Sequence, residues 1–145
     1  MNKLELFYED IQPLLIQKTF IKKHVKRLIN NEIKEMGEIS LIFCSDNYLL
    51  KMNKQYLNHN YYTDIITFDY VENNLISGDL FISVDRIREN AEKFESGIIE
   101  ELIRVVFHGL LHLIGYNDKT EDEKKIMGEK ENLYLSEVDF KGIEL

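Results

Sequence analysis

Apolar residues recur along this chain in two periods, one typical of strands and one typical of helices. Alternating, β-branched or aromatic segments predict four short strands, at residues 4–8, 38–44, 64–70 and 78–84. Asn73 and Asn74 stand between the last two segments and are typical of a turn, so these two strands are expected to form a hairpin.

Helical periodicity predicts five helices in the remaining segments. Residues 17–36 carry an apolar stripe at helical spacing, and Gly37 is expected to end that helix. Side chains that accept from backbone amides are expected to begin the other four: Ser45 or Asp46 for a helix to about Tyr56, Asp85 for one to about Phe94, Ser96 for the next, and Thr120 with Glu123 as a capping box for the last.

The helix that follows Ser96 is apolar on every side as far as Ile114. A helix without a polar face is buried at the centre of a domain. The mixture of strands and helices predicts an α+β (mixed α/β) fold, in which a small mixed β-sheet is covered by helices and this central buried helix packs between the sheet and other helices.

Two histidines lie four residues apart on this buried helix, at His108 and His112. That spacing places both imidazoles on one face, and a buried polar side chain needs a partner. Gly115 is expected to cap the helix and to turn the chain so that Asp118 points back. Three protein ligands with a free fourth position are typical of a catalytic zinc site, so the segment predicts a metal-dependent hydrolase. The alternative is a pair of core histidines bonded to nearby carbonyls.

Gly109 follows the first histidine, where zinc peptidases of the His-Glu-x-x-His type carry their general base. Peptide hydrolysis by that route is therefore disfavoured. A glycine at this position leaves room either for a bulky substrate or for close packing of the helix.

Composition limits the classes of protein that remain. The 145 residues suit a single domain, residues 1–145, with a substantial core. No apolar run approaches the roughly 18 residues needed to span a membrane, and the N-terminal residues lack the layout of a signal peptide. The one cysteine, Cys44, excludes an internal disulfide and suits a reducing compartment, so a cytoplasmic location without membrane contact is expected.

The net charge of −8 is unevenly distributed. Residues 17–34 carry six basic side chains against Glu32 alone. Five of the basic residues are candidates for binding an RNA backbone: Lys18, Lys22, Lys23, Lys26 and Arg27. A solvated helix face without a ligand is the alternative.

Three blocks of residues resemble the YbeY-type endoribonucleases, bacterial factors of ribosomal RNA maturation. The segment from His108 to Asp118 matches His-Gly-x-x-His-x-x-Gly-Tyr followed by a third metal ligand. The block from Asn53 through residues 63–68 and the block at residues 78–83 occur in the family's order and spacing. Together they extend the resemblance over most of residues 40–135.

The resemblance implies a zinc-binding, single-strand-specific RNA hydrolase that acts in the cytoplasm on ribosomal RNA precursors and in ribosome quality control. Its ligands to one zinc ion would be His108, His112 and the residue at position 118. The oligomeric state, the protein partners and the RNA cleavage site are not predicted.

Two positions depart from the family pattern. Asp118 stands where histidine is usual; a carboxylate still binds zinc but is harder and negatively charged, so another divalent transition metal is also acceptable. Leu57 stands where an arginine usually follows the aromatic residue. His59 could replace that arginine as a general acid or phosphate contact, or could be a solvent-exposed loop residue.

Three further residues are candidates for supporting the metal site. Asp64 and Asp79 lie near strand starts, where an aspartate either bonds to backbone amides or orients a metal-bound imidazole; the first role is favoured for Asp64, and both remain open for Asp79. Tyr116 either stacks on a base or covers the metal turn. The leading functional hypothesis is thus a metal-dependent endoribonuclease that hydrolyses RNA with metal-activated water. The alternatives are a non-catalytic, metal-stabilised ribosome-assembly or RNA-binding factor and, disfavoured by Gly109, a metallopeptidase.

Overall fold

The computed structural model describes residues 2–145 and contains four strands and five helices there. Their bounds are β1 Lys3–Tyr8, α1 Lys18–Asn31, β2 Glu35–Cys44, α2 Asp46–Leu57, β3 Ile65–Asp69, β4 Leu75–Ser83, α3 Val84–Lys93, α4 Ile98–Ile114 and α5 Glu121–Leu135. None of the helices in residues 2–145 is long and apolar enough to cross a membrane.

The four strands form one mixed sheet in the order β1-β2-β4-β3. Strands β1, β2 and β4 run parallel, and β3 is antiparallel to β4. The β3–β4 hairpin turns at Asn73, which adopts a left-handed conformation with φ 55°. The mixed α/β fold predicted from the sequence is therefore confirmed.

Helices cover both faces of the sheet, and α4 lies at the centre of the larger layer. Leu102, Val106 and Leu110 of α4 are fully buried, and the helix contacts β3, β4, α1, α3 and α5. On the other face, α2 covers a smaller cluster around Leu49 and Ile66. The prediction of a central buried helix is confirmed.

The first helix is shorter than the sequence predicted. It ends at Asn31 rather than at residue 36, because Ile33 takes a left-handed conformation with φ 60° and β2 begins at Glu35. Gly37 does not end a helix; it lies within β2, where a Cβ atom would collide with the side chain of Ser77 on the neighbouring strand. Pairing with β4 thus overrides the helical pattern of this segment.

Two predicted helix caps are also corrected. Ser83, not Asp85, caps α3, since its hydroxyl accepts from the amide of Arg86 at 3.2 Å. Gly97, not Ser96, precedes α4, and the Ser96 hydroxyl is buried without a partner among the described residues. The predicted caps at Ser45 and at Thr120 with Glu123 are present.

Candidate metal centre

Three side chains converge at the C-terminal end of α4. The Nε2 atoms of His108 and His112 are 3.1 Å apart, and Asp118 Oδ2 lies 3.2 Å from the first and 3.3 Å from the second. Two ligand atoms on one tetrahedral zinc ion are about 3.3 Å apart, given bonds of about 2.0–2.1 Å. The triangle of donor atoms therefore has the size that such an ion requires.

Local backbone structure explains why Asp118 reaches the histidines. Gly115 ends α4 with φ 121°, a conformation that favours glycine. Its amide and that of Tyr116 bond to the carbonyl of Leu111, which closes the helix and reverses the chain. Asp118 then returns over the last turn of α4.

The Nδ1 atoms of both imidazoles have hydrogen-bond partners. His112 Nδ1 lies 2.9 Å from the carbonyl oxygen of Tyr116, and His108 Nδ1 lies 2.7 Å from a carboxylate oxygen of Glu131. A carbonyl only accepts, so His112 Nδ1 carries the proton and Nε2 presents a lone pair. Lone pairs of two imidazoles and a carboxylate that face one another repel unless a cation lies between them. The donor set therefore fits a divalent metal ion such as zinc.

Glu131 is a site residue that the sequence analysis did not find. Its side chain is buried between His108 and Arg104, whose Nη1 donates to it at 3.2 Å. Burial lowers the pKa of His108, but the hydrogen bond and charge of Glu131 and the charge of Asp118 outweigh burial and raise it. The available signal was an acidic residue within the buried stripe of α5, one turn after Met127.

Glu32 at the end of α1 is a second residue that sequence reasoning missed. It accepts from Tyr116 Oη at 2.5 Å, from Lys130 Nζ at 3.1 Å and from the hydroxyl of Tyr134. Burial raises the pKa of the Glu32 carboxyl, but these three bonds outweigh burial and lower it. The carbonyl of Tyr116 bonds to His112, so the bond from Tyr116 Oη to Glu32 ties the turn after α4 to the end of α1.

A cavity of about 470 Å³ opens beside the three ligands. Its opposite wall comes from the end of α2 and the following loop, and includes Leu57, His59 and Tyr61. Asp64 also lines it, and burial raises the pKa of its carboxyl. The fold thus brings His59 and Asp64 to the same cavity as the predicted ligands.

Other predicted residues lie elsewhere. Asp79 lines a separate groove with Tyr70 and Ser40, while its neighbours Gly78 and Leu80 face α4. Because successive residues of a strand point to opposite faces, Asp79 lies on the face of β4 away from α4 and its two histidines.

The basic residues of α1 are likewise not in the cavity. Lys18 pairs with Glu5 at 3.7 Å, and Arg27 pairs with Glu137 at 3.6 Å. Lys22, Lys23 and Lys26 form no ion pair within the described part of the chain.

Gly109 lies where α4 packs against the sheet, so close packing of the helix explains this glycine. A Cβ atom at this position would lie 2.7 Å from Ile65 Cδ1 and 3.1 Å from a methyl group of Leu80. The glycine therefore lets the helix approach the sheet closely.

Fold and site together define a small mixed α/β protein with a His-His-Asp centre beside an open cavity. The sequence profile described as Endoribonuclease YbeY matches residues 8–139, and the chain belongs to that family. It is 52% identical to Endoribonuclease YbeY of Parabacteroides distasonis over 130 residues, covering 90% of this chain and 92% of the relative. It is 45% identical to the protein of the same name from Karelsulcia muelleri, with coverages of 89% and 92%.

A solved structure has the same fold. The solution structure of TM1509 from Thermotoga maritima matches with a TM-score of 0.66 at 25% identity, covering 92% of this chain and 87% of that one.

Proposed function

We propose that this protein is a metal-dependent endoribonuclease that cleaves single-stranded RNA during ribosomal RNA maturation, with zinc held by His108, His112 and Asp118. The observation that carries the proposal is the convergence of three donor atoms within 3.1–3.3 Å beside an open cavity. Family membership supports the reaction class.

A bound zinc ion would supply Lewis-acid chemistry, by activating water or polarising a phosphoryl oxygen. Glu131 and the carbonyl of Tyr116 hold the two imidazoles in the orientation that binding requires. The carboxylate of Asp118 adds negative charge, which favours a divalent ion and also admits harder metals such as manganese.

His59 takes the place of the family arginine in this proposal. Leu57 occupies the arginine's position and carries no charge to stabilise a scissile phosphate. His59 lines the same cavity, where it contacts the phosphate or protonates the leaving oxygen. The nucleophile is either water or the ribose 2′-hydroxyl, and the end groups of the cleaved RNA distinguish these two routes.

The wider setting is part of the same proposal. The chain acts as a single domain in the cytoplasm, on ribosomal RNA precursors and the ribosome. Lysines of α1, which lie outside the cavity, bind the RNA backbone. A decline in the affinity for RNA with rising salt would support this role.

A second candidate is a non-catalytic ribosome-assembly factor in which the metal only stabilises the Gly115 turn. It is favoured by one observation: among the described residues, no lysine or arginine lines the cavity.

One experiment separates these functions. Metal-loaded full-length protein and the His112→Ala variant are incubated with single-stranded RNA and with an unstructured protein. Cleavage of RNA by the wild type alone supports the nuclease. Intact RNA that remains bound supports the assembly factor, and cleavage of the protein indicates a peptidase.

A further inference from the structure

The cavity beside the candidate metal centre has no lysine or arginine among its described lining residues, whereas nucleic acids are usually bound by such side chains. Its titratable lining residues are Asp64, Asp118, Tyr61 and three histidines. Two carboxylates repel phosphates, and the basic side chains of α1 lie outside the cavity. Apart from a metal ion and His59, binding within the cavity must therefore come from contacts that do not depend on phosphate charge.

An aromatic pair on the opposite wall offers such a contact. The rings of His59 and Tyr61 stack with centroids 5.1 Å apart and an interplanar angle of 21°, and Tyr61 Oη lies 3.0 Å from His59 Nδ1. Tyr61 is nevertheless 55% exposed, so its ring is still accessible to another planar group.

One buried residue holds this pair in position, through its side chain and its main chain. Asn53 is 1% exposed. Its side-chain Nδ2 donates to the carbonyl of Tyr61 at 2.9 Å, and its main-chain carbonyl accepts from the amide of His59 at 3.0 Å. Asn58 caps α2 in a left-handed conformation, which turns the chain towards the cavity. The loop is thus anchored on both sides of the pair, which reduces the entropy lost when a ligand binds.

Resting on the proposed function, we infer that the Tyr61 ring, backed by His59, is a stacking platform for an unpaired base of the RNA next to the scissile phosphate. Aromatic side chains bind single strands in this way, because every base has a π-face. Bases in a duplex are stacked on their neighbours and cannot use the platform. The platform therefore explains a preference for single strands without an arginine in the cavity.

The test compares cleavage of a labelled single-stranded oligoribonucleotide by metal-loaded full-length variants. Tyr61→Ala is expected to raise KM by about 5- to 150-fold, which corresponds to the loss of one stacked base. Tyr61→Phe keeps the ring but loses the contact with His59 Nδ1, so its KM should lie much closer to that of the wild type than the KM of Tyr61→Ala does. The matched control is Tyr70→Ala, which removes a tyrosine of similar exposure (57%) outside the cavity. Metal content is measured for each variant.

A second arm replaces one base at a time by an abasic ribose. At the position that meets Tyr61, this change should raise KM for the wild type but not for Tyr61→Ala, because the contact is already lost. A purely structural role for Tyr61 would not depend on the base. The inference is overturned if Tyr61→Ala matches Tyr70→Ala, or if no abasic position is coupled to Tyr61.

Failure of the proposed function gives a different result. If the metal-loaded wild type does not cut RNA, the nuclease proposal fails. Fluorescence anisotropy of the same intact oligonucleotide then measures Kd directly, and the same variants and abasic positions decide whether the platform exists.

Discussion

Glu131 should control how tightly this protein holds its metal, although it is not one of the three ligands. The carboxylate accepts from His108 Nδ1 at 2.7 Å and is buried. Glu131→Gln keeps the shape but replaces a charged hydrogen bond, worth about 1.5–3 kcal/mol, by a neutral one worth about 0.5–1.5 kcal/mol. The difference of about 1 kcal/mol predicts a metal Kd about 5- to 10-fold higher. Glu131→Ala, which removes the acceptor, should raise it by about 10- to 100-fold.

The assay is competition for zinc between full-length protein and a chromophoric chelator. Glu129→Gln is the matched control, because it removes the same charge from an exposed position of the same helix. It should bind zinc like the wild type. If Glu131→Gln and Glu131→Ala also bind zinc with wild-type affinity, the idea that Glu131 orients His108 is refuted.

Three further outcomes are expected. Gly78→Ala should lower the free energy of unfolding by about 1–3 kcal/mol in urea titrations, because its Cβ would lie 2.7 Å from the backbone carbonyl of Phe68; an unchanged midpoint would contradict this packing. Burial lowers the pKa of His24 to about 4. As pH falls, His24 is therefore protonated in the unfolded chain before it is protonated in the folded protein. Stability should therefore decline between pH 6.5 and about 4, by about 1–2 kcal/mol after screening of the exposed Arg27 charge, and His24→Gln should lack that part of the decline. Burial raises the pKa of the Cys44 thiol to about 12, so a thiol reagent should label it only at the rate of unfolding; rapid labelling of native protein would be inconsistent with this burial.

Most secondary structure could be predicted because it depends on neighbours in the chain. The strands, the hairpin at Asn73 and the buried helix α4 follow from patterns that span only a few residues. The prediction was wrong at residues 32–37, where the sequence pattern indicated that the first helix continued. There Ile33 reverses the backbone and the segment joins β4, a partner about 40 residues away that local periodicity does not reveal.

The sequence by itself determined the candidate ligands. A spacing of four places His108 and His112 on one helical face, and Gly115 turns the chain so that Asp118 returns; all three steps are local geometry.

Only the tertiary structure decided what surrounds those ligands. Glu131 is 23 residues from His108, and Glu32 is 84 residues from Tyr116, so their contacts depend on how α5 and α1 pack against α4. The pleat of β4 turned Asp79 away from the site, and the loop after α2 brought His59 and Tyr61 to the cavity. These placements result from the burial of distant apolar faces, and no local pattern encodes which polar side chains that burial brings together.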